Sequence, residues 1–389
     1  MSDNLEELDV EQIPNKRGLV KKIILLAVVV LLVCAVVAVS VFSGGFHLDS
    51  LRRWVKYMNV DEETNGVYSF DAHSSNRYAS FDGGLALASV SGLSTFDESG
   101  AERFLIQQQM NLPQLQVAGD MAMAFDVGGN TLVALHKRSG EVLHLEETRP
   151  ILDADLSSGG YICTSSSASG YKSVLSVYNA DQDLIYRWLS STTYIPNCAI
   201  SPDGRTMAAI GLGQSDGVFE SSLLFFRTDA EELQTTVSLG SDLIYDVMFL
   251  DGNTVCAVGE TGVQYASMKG ELLGMCSYED RYLKDFDAGG DGFLTLSVNM
   301  YRAGNRYSLL TIDKQGQKIA ELYIGQEILD LSACGRYLAV LTTEGLTIYT
   351  QDLTVYAETV ETGNATAVVM RKDGSVLLLG GGQGRLYIP

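Results

Sequence analysis

From about Gly66 to Pro389 the chain repeats itself roughly every forty residues, and the repeat is written in turns and strands. A Gly-rich turn opens each unit, as in Asp82-Gly83-Gly84, Pro202-Asp203-Gly204, Gly290-Asp291-Gly292 and Asp373-Gly374. A β-rich run follows, such as Thr254-Val255-Cys256-Ala257-Val258, and then an alternating strand such as Gly345-Leu346-Thr347-Ile348-Tyr349. A second turn, for example Asp313-Lys314-Gln315-Gly316, leads to a fourth strand. A four-stranded unit of this length cannot bury both of its faces alone. It must stack on copies of itself in a ring, which makes the fold all-β and specifically a β-propeller.

First strands start near Arg77, Leu115, Leu152, Asn197, Ile244, Leu283, Ile328 and Thr366, which predicts eight four-stranded blades. Seven is the alternative, because the first unit is the least regular. The last unit, 366–389, holds only three strands. The run Gly66-Val67-Tyr68-Ser69-Phe70-Asp71 from the other end of the domain supplies the missing fourth and removes an exposed edge.

Ahead of the repeats stands IILLAVVVLLVCAVVAVSVF, residues 23–42, without a single charge. At about 1.5 Å per residue this run matches the hydrocarbon thickness of a bilayer, and it exceeds the apolar core of a cleaved signal peptide. The domain plan is therefore a cytoplasmic arm (1–22), one transmembrane α-helix (23–43), a juxtamembrane linker (44–65) and the propeller (66–389). Leu48, Leu51, Val55 and Met58 fall at helical spacing in the linker, beside Trp54. Lys16, Arg17, Lys21 and Lys22 precede the span, against Arg52, Arg53 and Lys56 behind it. The balance favours a signal anchor with the propeller outside the cytoplasm, at the cell membrane.

Of 48 acids and 27 bases, five and four precede the span, so 43 and 23 follow it and the remainder carries −20. Nucleic acid demands clustered Lys and Arg, so it is excluded as a partner. The acidity suits solubility at a cell surface, cationic partners or divalent ions. Of the six cysteines, Cys34 lies in the span and the other five sit singly, with no C-x-x-C. Cys256 and Cys276 share a blade, but on its second and fourth strands, about 10 Å apart and too far to bridge. The five read as buried free thiols without a disulfide.

Two turn classes separate the faces of a propeller. First-to-second and third-to-fourth turns lie on one face, and here they are tight. Second-to-third loops and blade-to-blade links lie on the other, and they carry the length: 107–113, 164–173, 190–196, 211–221 and 300–306. Binding residues concentrate on such loops over a rigid scaffold. Tyr171, Tyr194, Phe219 and Tyr301 are the binding-face candidates there. If the strand around 67–70 closes the last blade, the linker arrives at the tight-turn face and leaves the long-loop face pointing away from the bilayer.

Three further patterns carry potential chemistry. Asp285, Asp287 and Asp291 in D-F-D-A-G-G-D-G offer hard oxygen ligands for Ca²⁺ on one loop, although Asp291-Gly292 is also the turn pair of its blade. Gly213-Gln214-Ser215-Asp216-Gly217 fits G-x-S-x-G, but a strand rather than a helix follows it and no His comes after His144. His136 and His144 flank a turn without further ligands at useful spacing. No catalytic residue and no cofactor is assigned.

Ile200-Ser201-Pro202-Asp203-Gly204-Arg205 resembles the S-P-D-G-R turn of the YVTN and TolB-like branch of the WD40-like propellers, and Arg371-Lys372-Asp373-Gly374-Ser375 echoes it. The whole layout resembles uncharacterised single-pass, propeller-bearing membrane proteins of Gram-positive bacteria. The resemblance implies a fold and no known activity. The G-H…W-D signature of eukaryotic WD40 repeats is missing. With only Trp54 and Trp188, so are the Trp repeats of quinoprotein propellers. The leading expectation is a non-catalytic scaffold or binding module for a protein or wall-associated ligand. The alternatives are a Ca²⁺-dependent sugar or peptide binder, and a hydrolase or lyase with acidic residues in the central channel.

Overall fold

In the middle strands of the repeat the apolar run is continuous rather than alternating. MAMAFD (Met121–Asp126) and TVCAVG (Thr254–Gly259) are buried at every position. Such a strand has a neighbour on both faces. By contrast the outermost strands Leu272–Ser277 and Lys318–Ile324 largely alternate between exposed and half-buried residues. These patterns order each blade from axis to rim.

The computed structural model describes residues 67–389 except Asp216, together with Leu25, Leu26, Val28, Val30, Leu31 and Arg53. The chain divides into two compact units, Met1–Asn59 and Val60–Pro389. In the first, the five described apolar residues are helical and exposed. Otherwise the transmembrane helix, the cytoplasmic arm and the linker expected from sequence fall outside the described residues. Among the described residues no helix is long and apolar enough to cross a membrane.

The second unit forms eight four-stranded antiparallel sheets. Blades 1 to 7 are consecutive in sequence, with inner strands Arg77–Phe81, Pro113–Ala118, Ile151–Leu156, Tyr194–Ile200, Ile244–Phe249, Tyr282–Asp287 and Ile328–Cys334. Blade 8 takes Ala367–Met370, Val376–Gly380 and Gln383–Tyr387 from the C-terminus and Tyr68–Ser69 from the other end. Eight is therefore correct and seven is not. Buried side chains gather in clusters between successive blades. Met123, Phe125 and Leu132 meet Ile151 and Ile162, for example, and the last cluster joins Leu377 and Leu379 of blade 8 to Leu85 and Leu87 of blade 1. Ala86, Ala122, Ala208 and Ala339 on the second strands let the sheets approach closely.

Turn chemistry matches the repeat. In Ser201-Pro202-Asp203-Gly204, the Asp203 carboxylate accepts the Ser201 hydroxyl (2.7 Å) and the Arg205 amide (3.1 Å). Gly204 has φ of 69°, and a Cβ there would lie 2.3 Å from the ring of Tyr161. Only glycine fits that position.

The closing strand is shorter than the six-residue run expected from sequence. It pairs only Tyr68 with Gly384 and Ser69 with Gln383, extended by the Phe70 amide bonding to the Gly382 carbonyl (3.0 Å). Beyond it the backbone turns: the Asn76 side chain donates to the Asp71 carbonyl (2.8 Å) and pulls the chain away from the ladder. Tyr68 compensates. It is fully buried, its ring meets Phe96 edge-on at 6.0 Å, and its hydroxyl accepts a bond from the buried Arg371 guanidinium (2.8 Å).

Tyr68→Phe should destabilise the full-length chain by about 1–3 kcal/mol, because it strips an acceptor from a buried cation. Tyr68→Ala should cost about 3–5 kcal/mol through the added cavity. Equilibrium urea unfolding checks both, and two midpoints equal to wild type would refute this closure.

Candidate functional site

The inner strands carry a hydrophobic-x-Asp pattern: Ile151-Leu152-Asp153, Ile244-Tyr245-Asp246, Leu283-Lys284-Asp285 and Ile328-Leu329-Asp330. In each of these blades the register of the first strand pair slips at that step. A bulge of this kind re-aims the side chain that follows it. Asp155 and Asp287 sit two residues on, completing six aspartates on inner strands. The axial channel has a volume of about 700 Å³ and is lined by Tyr78, Gln116, Asp153, Asp155, Asp246 and Asp287, among others.

These carboxylates join one blade to the next. Asp153 accepts the Cys198 amide and Asp155 the Ile200 amide, both at 2.9 Å. Asp287 accepts the Ala333 amide (2.9 Å) and Asp330 the Val368 amide (2.7 Å). Ser332 does the same neutrally for Met370 (3.1 Å). Asp246 differs, since its Oδ1 takes the amide of its own neighbour Val247 (2.8 Å).

Burial inside the ring pushes all six upward. Asp155 and Asp285 reach about 6, Asp153 and Asp330 about 7, and Asp246 about 8, while Asp287 moves in the same direction. The amides pull back. Mutual repulsion adds to the rise, with Asp153 and Asp155 acting on Asp246, and Asp285 and Asp287 on Asp330. Among the described residues that line the channel none is His, Lys or Arg.

The Ca²⁺ expectation needs correction. Asp285 and Asp287 are strand residues, not loop residues, and Asp287 spends both oxygens on backbone amides, those of Gly289 (2.6 Å) and Ala333. Asp291 sits in the turn beyond, where its amide bonds to the Gly335 carbonyl. Among the described residues no three His, Cys, Asp or Glu lie together as a metal would need. His136 and His144 belong to the third and outermost strands of blade 2, beside Asp120 (4.0 Å) and Glu141 (3.5 Å) respectively.

On the long-loop face the structure brings three of the four aromatic candidates onto adjacent blades. Tyr171 opens the third strand of blade 3, Tyr194 begins blade 4, and Phe219 lies on the long hairpin of blade 4. The Lys172 ammonium stands 4.7 Å from the centre of the Tyr194 ring. Tyr301 lies apart on blade 6, in a loop braced by Asn299, which receives the Tyr301 amide (3.1 Å) and donates to Gly304 (2.6 Å). Blade 5 fills the gap with Leu243 and Tyr245, which sequence reasoning missed. All six are at least 37% exposed, enough for contact with a partner.

Two of the expected loops are instead strand. Residues 211–221 form a hairpin paired as far as Ser215 with Val218, and 164–173 one paired to Ala168 with Tyr171. Gly213–Ser215 of the G-x-S-x-G run is strand and the strand Val218–Arg227 follows the run, where a nucleophile elbow needs a helix.

The fold defines the class: an eight-bladed β-propeller. Residues 56–379 match the family of unknown function DUF5711, and the chain belongs to that family. No curated protein matches it. The C-terminal WD40 domain of Sif2 is similar, with a TM-score of 0.56 and 11% identity over 84% of this chain and 99% of that domain. BamB from Moraxella catarrhalis is also similar, with a TM-score of 0.50 and 13% identity over 82% of this chain and 97% of that one. At these identities the likeness is one of fold.

The channel aspartates set a pH dependence. Between their ordinary value of 3.8 and about 8 the folded chain holds more protons on them than the unfolded chain does, so stability falls as pH rises. The melting temperature should climb from about pH 8 down to about pH 5. Below about pH 4 it should fall, as turn carboxylates such as Asp97 and Asp203, held low by hydrogen bonds from Ser99 and Ser201, take up protons. Asp246→Asn should add about 1–3 kcal/mol at pH 8 and flatten the slope. A melting temperature that drops steadily from pH 8 to 5 would contradict this.

Proposed function

We propose that the chain is a membrane-tethered, non-catalytic binding module that holds a protein partner on the long-loop face of blades 3 to 6. The observation that carries this reading is the arc of exposed aromatic and apolar side chains there: Tyr171, Tyr194, Phe219, Leu243, Tyr245 and Tyr301. Aromatic anchors beside Ser, Gly and Asn are the composition of contact surfaces. They stand on paired hairpins and a braced loop, so little ordering cost is due on binding. Tyr68–Ser69 runs antiparallel to Gln383–Tyr387, so the chain arrives on the tight-turn face.

The uncharged run 23–42 supports the anchor, and the flanking bases support a propeller outside the cytoplasm. Catalysis in the channel has less support. The aspartates there are occupied by backbone amides, and no His, Lys or Arg faces them among the described lining residues.

Replacing Tyr171, Tyr194 and Tyr301 together by Ser should abolish partner capture from cells while changing stability by less than about 1 kcal/mol. Undiminished capture would move the site to the other face or the channel. Protease added to intact cells stripped of their wall should digest the propeller. A fully protected domain would reverse the topology.

A further inference from the structure

We infer that Cys163 and Cys198 are a latent disulfide between blades 3 and 4, formed when a peroxide enters the axial channel. The two thiols come from different blades and stand 35 residues apart in sequence, yet their sulfurs are 3.5 Å apart. Cys163 is on the second strand of blade 3, and Cys198 is on the inner strand of blade 4. Both are packed into one apolar cluster with Ile195, Met207 and Phe226. A disulfide needs about 2.05 Å between sulfurs, so the pair closes by a shift of about 1.5 Å, within reach of side-chain rotation.

The two are not equivalent. Cys198 contributes to the wall of the channel, and its sulfur lies 4.0 Å from the Asp153 carbonyl on the neighbouring inner strand. Both thiols are buried, Cys198 at 1% exposure and Cys163 at 0%, but of the two only Cys198 borders the channel. Cys198 is therefore the thiol that meets a small oxidant, and Cys163 the one that resolves it. The Cys198 thiolate attacks one peroxide oxygen, giving a sulfenic acid and releasing water or an alcohol. The Cys163 thiolate then attacks the Cys198 sulfur, forms the S–S bond and expels the hydroxyl as water. The protein loses two electrons and two protons, and the peroxide accepts both. Burial pushes both thiols upward, so the reaction is slow at neutral pH and quickens as pH rises. The product would bind together the two blades that carry Tyr171, Tyr194 and Phe219, although the inference stands on the thiol geometry whatever that face binds.

The test uses the full-length chain in detergent, treated with hydrogen peroxide, then denatured and alkylated without reductant. Wild type should go from six alkylated cysteines to four, with a mass lower by two hydrogens and a tryptic peptide linking Cys163 to Cys198. Its melting temperature should rise by roughly 5 °C. Cys163→Ala should leave a Cys198 sulfenic acid that a carbon nucleophile such as dimedone traps. Cys198→Ala should leave Cys163 alkylated. Six alkylated cysteines with no linked peptide would overturn the inference. So would Cys198 passing to sulfinic acid in wild type, which would show that Cys163 cannot reach it. Oxidation of Cys163 in Cys198→Ala would overturn the channel route.

Discussion

Ring closure is the constraint on which the rest depends. Each blade has two apolar faces, and eight blades leave none of them in water only if the eighth meets the first. The chain achieves this with two paired residues, Tyr68 and Ser69, on the edge of Gln383–Tyr387. So short a strand contributes little ladder energy. Side chains carry the closure: Tyr68 packs with Leu85, Leu87, Phe96, Leu377 and Leu379, and it accepts the hydrogen bond of a buried arginine. Loss of that contact would uncover two faces at once.

Neighbouring inner strands belong to separate sheets with no ladder between them, and aspartates link them near the axis. Four of the six inner-strand aspartates receive an amide from the following blade, at a cost in desolvation and mutual repulsion. A carboxylic acid that sheds its charge can keep such a bond more cheaply, which is why stability and protonation are linked in this ring. The acidity of the channel is thus explained by structure before any ligand is invoked.

The period, the count of eight and the closing strand were legible because turn glycines and buried middle strands leave marks at fixed intervals. Gly204 illustrates this, since a side chain there would collide with Tyr161. The channel aspartates were harder to see. In D-F-D-A-G-G-D-G, Asp285 and Asp287 look like loop ligands until the hydrophobic-x-Asp step is recognised in four blades. The bulge that turns them inward depends on strand register, which sequence does not display. The thiol pair was missed for a related reason. Strand counting tests cysteines within a blade, as with Cys256 and Cys276, whereas Cys163 meets Cys198 across two. Tyr171, Tyr194, Phe219 and Tyr301 could be assigned to one face from turn classes alone. That Leu243 and Tyr245 join them required the neighbouring blades to be in place.

The long-loop face and the tight-turn face of the same rigid ring differ in what they expose: aromatics on hairpins against charged turns such as Asp203-Gly204-Arg205 and Asp313-Lys314. A photo-crosslinking amino acid placed in turn at Phe219, Tyr245, Arg205 and Lys314 in the full-length chain, irradiated in living cells, reads that difference directly. The account predicts one discrete cross-linked partner from Phe219 and Tyr245 and none from Arg205 or Lys314. The same partner captured from Arg205 or Lys314, with none from Phe219 and Tyr245, would contradict it.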